Sequence, residues 1–206
     1  MPSSIDLRIL ELLAARLCHD LAGPVAAIGN GAELLGDDDP DFARDAAALI
    51  GESARTAAKR LQMFRYVYGW SPGAMAGPPP RLLAAEYFAG TRIECDYPEA
   101  VGELASEWQR LACNLLIIAA EALPRGGQVA LAATAGGIGL ELQVKGEGAG
   151  LSPQNLGALT GTTAFDALTS REVGAYFAGM LAAGLGQRLR VTAESGGFHI
   201  SCEALG

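Results

Sequence analysis

Histidine is nearly missing from this chain of 206 residues: there are two, His19 and His199. A metal centre built from several imidazoles cannot be assembled from them, which also removes the metal-dependent phosphohydrolases that add further histidines to a His-Asp doublet. Cysteine is sparse as well. The four, at 18, 95, 113 and 202, stand far apart with no Cys-x-x-Cys pair and no cluster of histidines nearby, so reduced and mostly buried thiols are expected. Basic side chains are the minority, 15 against 23 acidic, and a formal charge of -8 leaves a nucleic-acid binder without its electrostatic driving force. Long apolar runs are missing too. Leu111 to Ala120 is closed by Arg110 and Glu121, and Val173 to Gln187 carries four glycines, short of the ~18 residues of a membrane span. Asp6, Arg8 and Glu11 interrupt the N-terminal leucines, so no cleavable signal is read there. These absences predict a cytoplasmic protein with no nucleic-acid and no membrane partner.

What is present begins with helical spacing. Over residues 4 to 35, Leu7, Leu10, Ala14, Leu17, Leu21, Pro24, Ile28 and Leu35 follow the three-four spacing of a bundle seam, with Ser4 as a cap. Gly36-Asp37-Asp38-Asp39-Pro40 then ends one helix and starts another, Asp39 being the N-cap and Pro40 the first helical residue. The second helix, about Asp41 to Tyr68, carries Ile50, Ala54, Ala57, Leu61, Phe64 and Tyr68 in the same pattern. A lone hairpin cannot cover broad apolar stripes on both helices. A second copy of the chain is expected to supply the missing helices, making a dimeric four-helix bundle.

Residues 70 to 80 break every period and read as a linker, which separates a helical unit at 1 to 69 from a second domain at 81 to 206. In that second part the patterns mix. Helices are expected near Arg81 to Ala89, Leu104 to Leu123 and Ser170 to Ala183, the last two separated by strands and a glycine-rich loop. Strands are expected near Arg92 to Asp96, Gln128 to Ala133, Gly139 to Lys145, Arg188 to Glu194 and Phe198 to Glu203, with turns at Gly136-Gly137 and Ser195-Gly196-Gly197. The fold class is therefore α+β, a helical hairpin followed by a layered sandwich.

His19 stands on the wrong face for a core residue. It lies two positions from both Leu17 and Leu21, about 200° around the helix from each. Its own side carries Arg16 and otherwise small side chains, Ala15, Ala22, Gly23 and Ala26, that let another protein approach closely. An exposed helical histidine is ordinarily just solvated, but three features argue for more. Asp20 adjoins it and can hold the ring; Pro24 sits inside the helix, where it costs ~3 kcal/mol; and glycines recur at 23, 29 and 31. A neutral imidazole is a competent nucleophile toward phosphorus at cytoplasmic pH.

The run Arg16-Leu17-Cys18-His19-Asp20-Leu21-Ala22-Gly23-Pro24 resembles the phospho-acceptor box of two-component histidine kinases. Extended through Gly29-Asn30-Gly31-Ala32-Glu33-Leu34-Leu35, it is similar to the ChpT-type histidine phosphotransferases of alphaproteobacteria. The resemblance implies a homodimer with a Bergerat-like, histidine kinase ATPase-like second domain. It further implies a phosphorelay role, with His19 and Asp20 as catalytic residues and Arg16, Ala22, Gly23, Ala26 and Asn30 facing the partner. Those partners would be the receiver domain of a hybrid histidine kinase and receiver domains of CtrA-like response regulators. Gly23 replaces the Thr or Asn that kinases often carry there, which argues against strong phosphatase activity.

A kinase of this architecture would bind ATP. Asn114-Leu115-Leu116-Ile117-Ile118-Ala119 resembles the kinase box Asn-Leu-Leu-x-Asn-Ala, but Ile118 stands where the magnesium ligand belongs, and an aliphatic group cannot coordinate a hard cation. Lys145-Gly146-Glu147-Gly148-Ala149-Gly150 resembles Asp-x-Gly-x-Gly with Gly146 in place of the adenine-reading acid. No cofactor and no metal are therefore expected on this chain, with magnesium supplied only by the partner receiver. Two other readings stay open: an ATP-dependent sensor histidine kinase fragment with an unusual site, and a noncatalytic dimeric adaptor of kinases in which His19 is incidental.

Overall fold

The computed structural model describes residues 7–36, 39–69, 77–134 and 139–205. Two long helices, α1 (Leu7–Leu34) and α2 (Pro40–Tyr68), form the hairpin that the spacing predicts. Asp39 caps α2 by accepting the Asp41 N–H at 2.9 Å, with Pro40 at the first helical position. The helices approach closely at Gly31, the buried residue of α1: a Cβ there would sit 2.7 Å from Ile50 Cγ1 and 3.3 Å from the Ala46 carbonyl oxygen.

The rest of the chain runs α3 (Pro80–Phe88), β1 (Ile93–Asp96), α4 (Glu99–Gly102), α5 (Ser106–Glu121), β2 (Gly127–Ala133) and β3 (Leu140–Lys145). It continues through α6 (Pro153–Thr160), a 3-10 turn at Phe165–Ala167, α7 (Val173–Gly184), β4 (Gln187–Glu194) and β5 (Gly197–Ala204). The sheet order is β1-β2-β3-β5-β4, parallel between β1 and β2 and antiparallel elsewhere. Register aligns Leu131, Leu142, Ile200 and Val191 across four strands, and Val129, Val144 and Phe198 across three. Alternation puts both rows on one face, where they meet α5 and α7. The α+β class is as expected.

The uncharged stretch from Leu111 is explained by what surrounds it. Residues 111 to 119 of α5 are all buried, because one side of the helix lies on the sheet and the other meets the hairpin. Cys113 and Ile117 pack with Leu83, Met63, Phe64 and Val67, against which Leu17 and Leu21 also lie. Part of the hairpin is therefore covered by its own chain, which corrects the premise that only a second copy can cover it. Ile9 and Leu12 join the main core as well. Other seam residues do remain open, Leu7 at 67%, Leu10 at 49% and Leu35 at 46% exposed.

Two helices go beyond the sequence reading. α6 falls where a glycine-rich loop was expected, although Ser152 accepts the Asn155 N–H at 3.1 Å, Pro153 occupies the first position and Gly161 ends the helix with φ +75°. Eight residues are too few for periodicity to register, and α4 is shorter still. The expected cap at Ser4, the expected turn at Gly136-Gly137, and residues 70 to 76 of the expected linker lie outside the described residues. By length and composition α1 is apolar enough to cross a membrane, unlike the expectation, but Arg16 pairs with Glu121 of α5 and the Asp20 carbonyl accepts from Arg60 of α2.

Candidate functional site

On α1 the His19 side chain is 85% exposed, as its helical phase requires. Its Nδ1 lies 3.1 Å from Asp20 Oδ1. A carboxylate only accepts, so Nδ1 carries the proton and donates, which leaves the lone pair on Nε2. Asp20 is itself held. Its Oδ2 takes the Nε–H of Arg16 at 2.6 Å, one helical turn earlier, and its main-chain carbonyl takes a hydrogen bond from Arg60 Nη1 on α2 at 2.5 Å. Arg16 in turn donates to the Arg171 carbonyl at 2.9 Å and forms an ion pair with Glu121 at the end of α5. At 12% side-chain exposure, Arg16 has its donors directed to protein acceptors. The ring is thus at the end of a chain of charge-assisted bonds that begins in the α/β layer and fixes its rotamer.

Ala22, Gly23, Ala26 and Asn30 are exposed, three, four, seven and eleven residues beyond His19 and so on its side of α1. A Cβ built on Gly23 would meet nothing within 4 Å. This strip of small side chains runs from the histidine toward the hairpin tip. On the other side of the ring opens a cleft of about 880 Å³ between the hairpin and the starts of α6 and α7, lined by Arg16, Asp20, Arg60, Tyr87, Glu121, Asn155 and Arg171 among others. Burial raises the hydroxyl pKa of Tyr87 against the lowering field of Arg60, and that of nearby Tyr68 to about 12 against Arg16. Sequence reasoning missed Arg60, Glu121 and Arg171 because they lie 41, 102 and 152 positions from His19. Only the hairpin register could have pointed to Arg60.

The nucleotide-like segments are held by packing within the α/β layer. Asn114 is fully buried, its Nδ2 makes a long 3.4 Å hydrogen bond to the Gly174 carbonyl at the start of α7, and its Oδ1 has no hydrogen-bond partner among the described residues. Ile118, 4% exposed, packs into the main core. A Cβ at Gly146 would lie 2.5 Å from the Gly126 carbonyl and 2.6 Å from Leu123 Cδ2, so the backbone leaves no room for an aspartate. Glu147, one residue on, faces solvent in an ion pair with Arg125. The residues present do not fit a magnesium nucleotide in the manner of a kinase. Among the described residues, no group of three or more His, Cys, Asp or Glu side chains is placed to hold a metal. His199 lies on β5, 3.4 Å from Glu141.

A family model described as the histidine phosphotransferase C-terminal domain matches residues 80–197. The chain belongs to the histidine phosphotransferases. This phosphotransferase is 32% identical to the protein phosphotransferase ChpT of Brucella abortus (strain 2308), over 98% of its own length and 97% of that protein's. A solved structure described as that of a bacterial phosphotransferase is similar throughout, with a TM-score of 0.80 at 29% identity, covering 98% of this chain and all of that one. The resemblance read from the segment around His19 is upheld over the whole length.

Proposed function

We propose that this phosphotransferase carries its phosphoryl group on Nε2 of His19. The group arrives from an aspartyl phosphate on the receiver domain of a hybrid histidine kinase and leaves to the aspartate of a CtrA-like response regulator receiver. The observation that carries this reading is an 85% exposed imidazole whose other nitrogen is pinned by Asp20. In the forward step the Nε2 lone pair forms a bond to phosphorus while the acyl phosphate P–O bond breaks, its electron pair leaving on the donor carboxylate. The proton stays on Nδ1, and the positive charge gained by the ring is stabilised by the Asp20 carboxylate. No proton has to move, so positioning is most of what the carrier must provide.

Magnesium, in this reading, belongs to the visiting receiver, and no ATP is used by this chain. Support for the second point is the poor fit at Ile118 and Gly146. Ala22, Gly23, Ala26 and Asn30 make the partner face, with Arg16 holding Asp20 behind it. The relay operates in the cytoplasm as a homodimer, its four-helix bundle formed by the apolar surface that the α/β layer leaves open. The test follows label from a phosphorylated receiver onto the protein, with His19→Ala beside it. Wild type becomes labelled and His19→Ala does not; labelled ATP alone leaves both unlabelled. Equal labelling of the alanine variant refutes the assignment, and labelling by ATP restores the kinase reading.

A further inference from the structure

Pro24 has no N–H, so the carbonyl four residues earlier in α1 loses its helical donor. That carbonyl belongs to Asp20, the residue that holds the imidazole. The donor it receives instead comes from α2, where Arg60 Nη1 lies at 2.5 Å. We propose that Arg60 is a positioning residue for phosphotransfer, replacing the hydrogen bond that Pro24 removes and so locking the turn of α1 that presents His19.

Helices bend at proline because the freed carbonyl can tilt away from the axis. A tilt at residue 20 would swing both the Asp20 carboxylate and the His19 ring, since the two are consecutive on the same turn. Arg60 suits the task. It is half-buried, no ion pair to a carboxylate is found for it among the described residues, and it also lines the cleft beside the ring. Arg16 holds the Asp20 side chain from α1 itself, whereas Arg60 holds the Asp20 main chain from α2. The two arginines therefore fix the same residue from opposite helices, and only the second contact depends on the proline.

This inference rests on His19 being the carrier, and the experiment separates the two. The rate of label transfer from a phosphorylated receiver is measured for wild type, Arg60→Ala, Pro24→Ala and the double variant, at saturating and limiting receiver, with a thermal melt of each. Arg60→Ala is expected to slow transfer roughly tenfold at saturating receiver, the factor that one lost charge-assisted hydrogen bond supports. The receiver concentration at half-maximal rate stays within a factor of two, because Arg60 acts on the histidine turn. In the Pro24→Ala background the helix donates its own N–H to Asp20, and the loss caused by Arg60→Ala shrinks to threefold or less. The same tenfold loss in both backgrounds, or no loss in the native one, overturns the proposal. If Arg60→Ala melts below the assay temperature, Arg60→Met is used in both backgrounds with the same criterion. Failure of the wild type to accept label at all is instead a failure of the relay reading.

Discussion

His19 is ordinary in exposure and unusual in what holds it. An imidazole at a helix surface samples several rotamers, and each one lost to ordering costs free energy that only a preorganised partner offsets. Asp20 performs that function at the cost of taking its own support from Arg16 and Arg60. Replacing Asp20 by Asn keeps the shape but removes the charge that, under the proposed function, stabilises the ring once it is phosphorylated, and the amide can turn its NH2 toward Nδ1. Transfer should fall roughly tenfold or more. Because Arg16 is 12% and Asp20 18% exposed, the variant should also lose about 1–3 kcal/mol of stability. Rapid-quench labelling and a denaturant melt read the two effects separately; an Asn variant with native rate would show that Asp20 only orients, and an unchanged melt that the ion pair is screened.

Within α1, glycines of the same chemical type serve opposite ends. Gly31 is where the helices touch, and a methyl group there must displace Ile50 near its backbone and approach the Ala46 carbonyl at 3.3 Å. Gly23 faces open space on the strip beside His19. Gly23→Ala gains helix propensity but sets a Cβ beside the Pro24 ring, which disfavours the helical conformation of the residue before it; the two are expected to offset and to leave Tm within about 2 °C. Gly31→Ala gains the same propensity but should be destabilised overall, by about 1–2 kcal/mol, from overpacking. Larger side chains at Gly23, such as Leu, should keep the melt and slow transfer from a receiver, which would separate the proposed partner face from the fold. A Gly31→Ala protein as stable as wild type would show that α1 and α2 have room to separate.

For the molecule as a whole, the question is what covers the apolar surface of the hairpin that the α/β layer does not reach. Leu34, Leu35, Phe42, Leu49 and Leu61 are between 39% and 56% exposed. Fully burying side chains of this size contributes ~1.5–3 kcal/mol each, enough to favour association once several act together. Light scattering after size exclusion at micromolar concentration should return twice the chain mass of 21.2 kDa. The double variant Leu35→Glu, Phe42→Glu should shift the protein to monomer while leaving the α/β layer folded, since neither side chain belongs to either buried cluster. A wild-type monomer would leave the bundle without its second half.

The course of the long helices over the described residues, the Asp39 cap with Pro40, the outward phase of His19 and the five expected strands were legible because they depend on neighbours within a few positions: a 3.6-residue or two-residue period, a capping oxygen, a breaker. The short helix α6 escaped because eight residues carry caps but too little period. What holds His19 in place was decided elsewhere. Arg60, Glu121 and Arg171 meet around it only because α2 doubles back, α5 runs beneath the hairpin, and α7 begins beside it. The same is true of the exclusion of an aspartate at Gly146, which follows from strands and loops distant in sequence closing on one backbone atom. Local spacing determines which way a side chain points from its own helix; which donor, carboxylate or carbonyl waits there depends on tertiary packing, through contacts whose sequence separation leaves no periodic trace.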